Sequence, residues 1–153
     1  TDAYADSFRE LFAMDSVERM WQMYNNIPHM FKEHKQILCG KDIFYGLSFF
    51  RNGVTPEWEN ERNTRGSEWG AKQPENGSTI QEIFKLLMVA CASEKINSVC
   101  GFRVMDKTSR GRRMYKVEVW LDETGNPNVS HSQISQAILP YSLTFSFQSH
   151  ISH

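Results

Sequence analysis

Two groups of residues in this chain have the types and spacing to hold a flat, charged ligand. The first is Pro56-Glu57-Trp58-Glu59-Asn60-Glu61-Arg62-Asn63-Thr64-Arg65-Gly66-Ser67-Glu68-Trp69, where an indole stands beside a carboxylate in a polar, turn-rich segment. Charged and turn-forming neighbours make Trp58 harder to explain as core than the same ring in an apolar run. An exposed indole can stack on an electron-poor base while Glu59 accepts hydrogen bonds from its edge, and a cationic purine such as 7-methylguanine satisfies both. The local string suits equally well a ring packed beneath its own loop.

The second group follows from strand parity, since residues two apart share a face. In Arg112-Arg113-Met114-Tyr115-Lys116-Val117-Glu118-Val119-Trp120-Leu121, residues Arg112, Met114, Lys116, Glu118 and Trp120 point one way, and the apolar set Tyr115, Val117, Val119 and Leu121 points the other, toward a core. In the preceding strand Arg103, Met105 and Lys107 share a face by the same rule. Arg103, Lys107, Arg112 and Lys116 thus converge on one region, with Arg110 and Arg113 near the connecting loop, a composition suited to phosphate. A solvated hairpin whose charges serve solubility has the same composition.

Signals of enzyme chemistry are missing. The chain has no Gly-rich phosphate loop, no G-x-S-x-G, no H-E-x-x-H and no Cys/His set with zinc spacing. The five histidines, His29, His34, His131, His150 and His153, read as surface residues, and Glu59 and Glu61 have only polar neighbours. The expectation is a binding protein with no catalytic residues, metal or cofactor.

The elements that must position these residues are legible in outline. Asp15 and Glu18 have capping-box spacing, and Val17, Met20, Trp21 and Tyr24 recur at helical intervals up to Asn25-Asn26-Ile27-Pro28. Thr79 and Glu82 repeat that signal ahead of the stripe Ile80, Ile83, Phe84, Leu87 and Cys91. A third helix is predicted over about Ser132 to Leu139, ahead of Pro140. Strands are predicted over Ile43 to Phe50, Glu68 to Lys72, Val99 to Met105, Arg113 to Leu121 and Leu143 to Gln148, with a hairpin loop from Asp106 to Gly111. Without strand-helix-strand alternation, this pattern predicts an α+β fold with helices on one sheet face.

A length of 153 residues with 40% hydrophobic content predicts one domain over 1–153. A net charge of −1 argues against a nonspecific nucleic-acid binder, so an anionic ligand needs a local cationic cluster. Cys39, Cys91 and Cys100 form an odd, unpatterned set of reduced thiols, and no apolar run is long enough to span a bilayer; a soluble cytoplasmic or nuclear protein is expected.

Taken in order, the blocks Ser16 to Ile27, Trp58 to Trp69, Val99-Cys100-Gly101 with the basic hairpin and Trp120, and Phe147-Gln148-Ser149-His150 resemble the eukaryotic translation initiation factor 4E family, which binds the 7-methylguanosine cap of mRNA. The resemblance implies a curved antiparallel sheet with the cap pocket on its concave side and helices on its convex side. It implies that Trp58 stacks on the methylated base, Glu59 reads the guanine edge and Trp120 lies near the N7 methyl, while Lys107 and Lys116, supplemented by Arg112 and Arg113, hold the phosphates. The second stacking position, counted back from Trp21, is held by Tyr4, as in the divergent 4E-homologous proteins. The family's first strand and N-terminal arm have no counterpart in this sequence.

The same resemblance implies a partner surface. Val17 and Trp21 match convex-face residues that hold a Y-x(4)-L-hydrophobic helix of a 4G-type scaffold or a 4E-binding protein, and Leu86 and Val89 on the second helix would extend it. Leu86 stands where the family usually has Glu, and Phe84 where it has Trp. The competing expectation is an interaction or repressor module of the same fold with weak or no affinity for the mRNA cap.

Overall fold

The computed structural model describes residues 10–26, 31, 37–39, 42–57, 59–74 and 76–151. Tyr4 and Trp58 lie outside them. Three helices are described: α1 (Val17–Asn26), α2 (Gly77–Ala92) and α3 (Pro127–Ala137). The strands are β1 (Ile37–Cys39), β2 (Asp42–Phe44), β3 (Gly46–Phe50), β4 (Ser67–Pro74), β5 (Val99–Asp106), β6 (Met114–Leu121) and β7 (Ser146–Ser149). β1 and β2 form a two-stranded hairpin, and the other five make an open, curved antiparallel sheet in the order β3-β5-β6-β4-β7. The α+β expectation is met.

Each helix start is fixed by a side chain that satisfies otherwise unpaired backbone N–H groups. On α1 that residue is Ser16, not Asp15: its Oγ accepts from Arg19 N at 3.2 Å. On α2 it is Asn76, three residues before the expected Thr79, whose N–H donates to Asn76 Oδ1 at 3.0 Å. Asn126 accepts from Asn128 N and Val129 N, and Pro127 fits the first turn, so α3 begins five residues before the expected Ser132. The expected strand from Ile43 to Phe50 is broken at Tyr45, and β1 was not foreseen.

One sheet face and all three helices share the core. Tyr115, Val117, Val119 and Leu121 from β6 are buried there with Phe102 and Val104 from β5, as parity predicts. Phe102 lies between Phe84 of α2, with ring centroids 5.0 Å apart, and Phe49 of β3 at 5.9 Å. The β5–β6 register shifts between Val99 and Gly101, making Cys100 the extra residue of a bulge. Gly101 is required there, because a Cβ would stand 2.4 Å from Phe50 Cγ and 2.5 Å from the Phe49 carbonyl. No described helix is long and apolar enough to cross a membrane.

Candidate functional site

The face turned away from the helices carries the charges. Cross-strand pairing sets Gly101 opposite Trp120, Arg103 opposite Glu118 and Met105 opposite Lys116 on β5 and β6, with Glu68 of β4 on the far side of Trp120. Glu118 is the hub. Its Oε1 accepts from Trp120 Nε1 at 3.1 Å and from Arg103 Nε, and its Oε2 lies 2.8 Å from Lys116 Nζ. The Arg103 guanidinium carbon stands 5.1 Å from the Trp120 ring centroid, within cation–π range. Trp120 itself is only 1% exposed, set edge-on against Phe50 at 5.8 Å and His150 at 4.8 Å.

Burial alone would push the Glu118 carboxyl up. The Arg103 guanidinium and the Lys116 ammonium beside it outweigh that and hold it below its ordinary value of 4.5. With the folded value below the unfolded one, the ionised group's stabilisation is fully present above about pH 4.5 and is lost as the pH falls through the lower folded value. The stability gap between wild type and Glu118→Gln in urea unfolding should therefore narrow as the pH is lowered from about 6 toward 3. A gap constant over that range would contradict it.

The hairpin beyond Lys116 closes in a tight turn. Ser109 and Arg112 exchange backbone hydrogen bonds at 3.0 and 2.9 Å, and Arg110 and Gly111 between them have φ of 54° and 75°. Positive φ at both central residues marks a type I′ turn, and β6 begins only at Met114. Arg112 precedes the continuous strand but stays paired with Ser109 in the register of Asp106 and Tyr115, and Arg113 lies beside it on the hairpin. Among the described residues, Lys107, Arg112 and Arg113 are exposed and enter no salt bridge, whereas Arg103 and Lys116 are both paired with Glu118.

The turn from Thr55 to Glu57 is held by a residue that sequence reasoning passed over. Asn63 is fully buried and donates through Nδ2 to the carbonyls of Thr55 at 2.7 Å and Glu57 at 2.8 Å. Its own carbonyl accepts from His150 Nδ1 at 2.8 Å, and His150 N donates to the Gly66 carbonyl at 3.0 Å. Gly66 is needed for its own close approach to the end of β6, since a Cβ there would lie 2.0 Å from the Leu121 carbonyl. His150, expected at the surface, is 4% exposed, with Nε2 3.6 Å from Glu68 Oε2. Glu59 is exposed next to this anchored segment. A signal for Glu118 was present in its parity with Trp120; Asn63 and His150 read locally as ordinary turn and chain-end residues.

On the convex side Val17 is 61% exposed and Val89 36%. Trp21 is half-buried, edge-on to Tyr24 with centroids 6.0 Å apart, and Leu86 is half-buried on α2. Among the described residues no group of His, Cys, Asp and Glu could hold a metal ion.

Fold and site define a class: an α+β protein whose sheet buries one face under helices and turns a charged, indole-floored face the other way. The sequence model of the family described as Eukaryotic initiation factor 4E matches residues 1–153, and the chain belongs to that family. It is 28% identical over 152 residues to "Eukaryotic translation initiation factor 4E-1" of Pisum sativum, covering 97% of this chain and 61% of the relative. It is also 28% identical over 148 residues to the protein of the same name from Schizosaccharomyces pombe, covering 93% and 64%. The chain thus spans less than two thirds of the length of these relatives. Among solved structures it resembles C. elegans eIF4E-3 in complex with the 4E-binding protein Mextli and cap analog, with a TM-score of 0.67, 20% identity and coverage of 91% and 77% of the two chains. Ascaris suum eIF4E-3 with m2,2,7G cap gives a TM-score of 0.67 at 19% identity, covering 93% and 78%.

Proposed function

We propose that the chain binds the 7-methylguanosine cap of mRNA and acts, without catalysis, in translation initiation or its regulation. The observation that carries this reading is the anchoring of the Trp58 segment: Asn63 fixes the carbonyls of Thr55 and Glu57, just ahead of Trp58, and ties them through His150 to the Trp120 floor. A stacking ring needs such a rigid support to bind without a large ordering cost. In the proposed complex Trp58 and Tyr4 sandwich the base, Glu59 accepts from its edge, and Trp120 lies near the N7 methyl. Lys107, Arg112, Arg113 and Lys116 hold the phosphates. A Tyr face stacks less strongly than Trp, so affinity should be lower by on the order of 1 kcal/mol than with two indoles.

Tryptophan fluorescence tests this reading. Titration with 7-methyl-GTP should quench the wild type strongly and GTP should not, and Trp58→Ala should abolish the response. Equal responses to both nucleotides, or none, would overturn it in favour of an interaction module of the same fold without useful affinity for the mRNA cap. The exposed Val17 and Val89 and the half-buried Trp21 and Leu86 support a second surface for a partner's Y-x(4)-L-hydrophobic helix, of the 4G-type scaffold or 4E-binding class.

A further inference from the structure

We propose that Glu118 is the residue that makes this pocket select a cationic base over a neutral one, by positioning Trp120 and cancelling positive charge on the pocket floor. The inference rests on the cap-binding reading above and goes beyond it, because Glu118 is not among the residues assigned there.

The geometry puts three groups on one buried carboxylate. The Glu118 side chain is 3% exposed and Arg103's is 15%, so water screens this pair little. The Trp120 N–H bond to Oε1 fixes the indole plane, and the Arg103 bond to the same oxygen fixes the guanidinium 5.1 Å from the indole centroid. Lys116 closes the set from the other oxygen at 2.8 Å. Along one face of β6 the order is therefore indole at 120, carboxylate at 118 and ammonium at 116, with the exposed Arg113 and Arg112 beyond the strand's start. At ~3.3 Å per residue this gradient runs over roughly 13 Å from Trp120 to Lys116, the scale of a base followed by its first phosphates.

Without the carboxylate, the Arg103 guanidinium would stand uncompensated beside Trp120, beneath the base. A base carrying the positive charge of N7 methylation would be repelled there, while any phosphate would be attracted whatever base it bore. With Glu118 ionised, Arg103 is compensated beside Trp120, and the exposed cations stand away from it, Lys72 opposite Lys116 and Lys107, Arg112 and Arg113 at the hairpin. Methyl selectivity would then come from charge balance on the floor as well as from stacking. The Trp120 ring already has a guanidinium near it, so a second cation is tolerated only if the first is compensated.

The experiment is a fluorescence titration of wild type, Glu118→Gln, Arg103→Gln and the double variant with 7-methyl-GTP and GTP at several salt concentrations, with thermal unfolding recorded for each. Glu118→Gln keeps an acceptor for the indole N–H but drops the charge. It should lower the ratio of 7-methyl-GTP to GTP affinity about tenfold, mainly by raising GTP affinity, and steepen the salt dependence. The double variant should return the ratio toward wild type. Arg103→Gln alone should keep or raise the ratio while weakening GTP, and it decides the question if Glu118→Gln fails to fold. A purely structural Glu118 would lower both affinities in proportion and leave ratio and salt slope unmoved, which would overturn the inference alone. Failure of the wild type to bind 7-methyl-GTP would overturn both this inference and the cap-binding reading.

Discussion

Replacing Asn63 with Leu should destabilise the fold by roughly 1–3 kcal/mol and abolish measurable 7-methyl-GTP binding, because two carbonyls lose their side-chain donor at once. The Thr55 and Glu57 carbonyls bracket Pro56 and precede Trp58, and the Asn63 amide is the side-chain donor to both. Each carbonyl keeps a backbone donor, Glu57 N for Thr55 and Asn60 N for Glu57, so each lost side-chain hydrogen bond costs about 0.5–1.5 kcal/mol. Asn63→Asp should be at least as damaging, since it keeps the shape but sets carboxylate oxygens against carbonyl oxygens. Urea unfolding and nucleotide titration of both variants check this. Unfolding midpoints within experimental error of wild type would show that the segment is held by something other than Asn63.

On the opposite side of the sheet, Val17→Asp should weaken capture of a synthetic peptide carrying Y-x(4)-L-hydrophobic by more than about 30-fold, the range of an interface hot spot. Val17 is the first residue of α1 and 61% exposed, so the fold should keep its stability. A carboxylate in a helix's first turn is favourable toward the helix dipole. Trp21→Ala should give a similar loss of peptide binding but with a stability cost, because that half-buried ring also packs against the core. Peptide binding by Val17→Asp equal to wild type, measured by calorimetry, would sink the convex-face assignment. Titration of 7-methyl-GTP on the same variant should be unaffected, since Val17 and Trp120 lie on opposite sides of the sheet.

The α+β class, the three helices, most of the strands and the inward face of β6 were legible, because burying one side of an element imposes a period that a local string displays. Helix starts were misplaced where several residues compete to satisfy the first N–H groups: Ser16 beside Asp15, Asn76 ahead of Thr79, and Asn126 before Pro127. Arg103, Lys107, Arg112 and Lys116 read as one cationic cluster. The structure divides them, because Glu118 binds both Arg103 and Lys116 while Lys107 and Arg112 stay exposed.

By itself, the sequence determined which residue types face away from the core on β6 and which blocks carry the family's pattern, since both depend on near neighbours and order. Only the tertiary structure decided that Glu118 gathers Trp120, Arg103 and Lys116, and that His150 reaches Asn63 across 87 positions of chain to anchor the Trp58 segment. The bonds from Arg103 to Glu118 and from His150 to Asn63 join residues on separate segments, so their energy depends on where the sheet brings distant parts of the chain together.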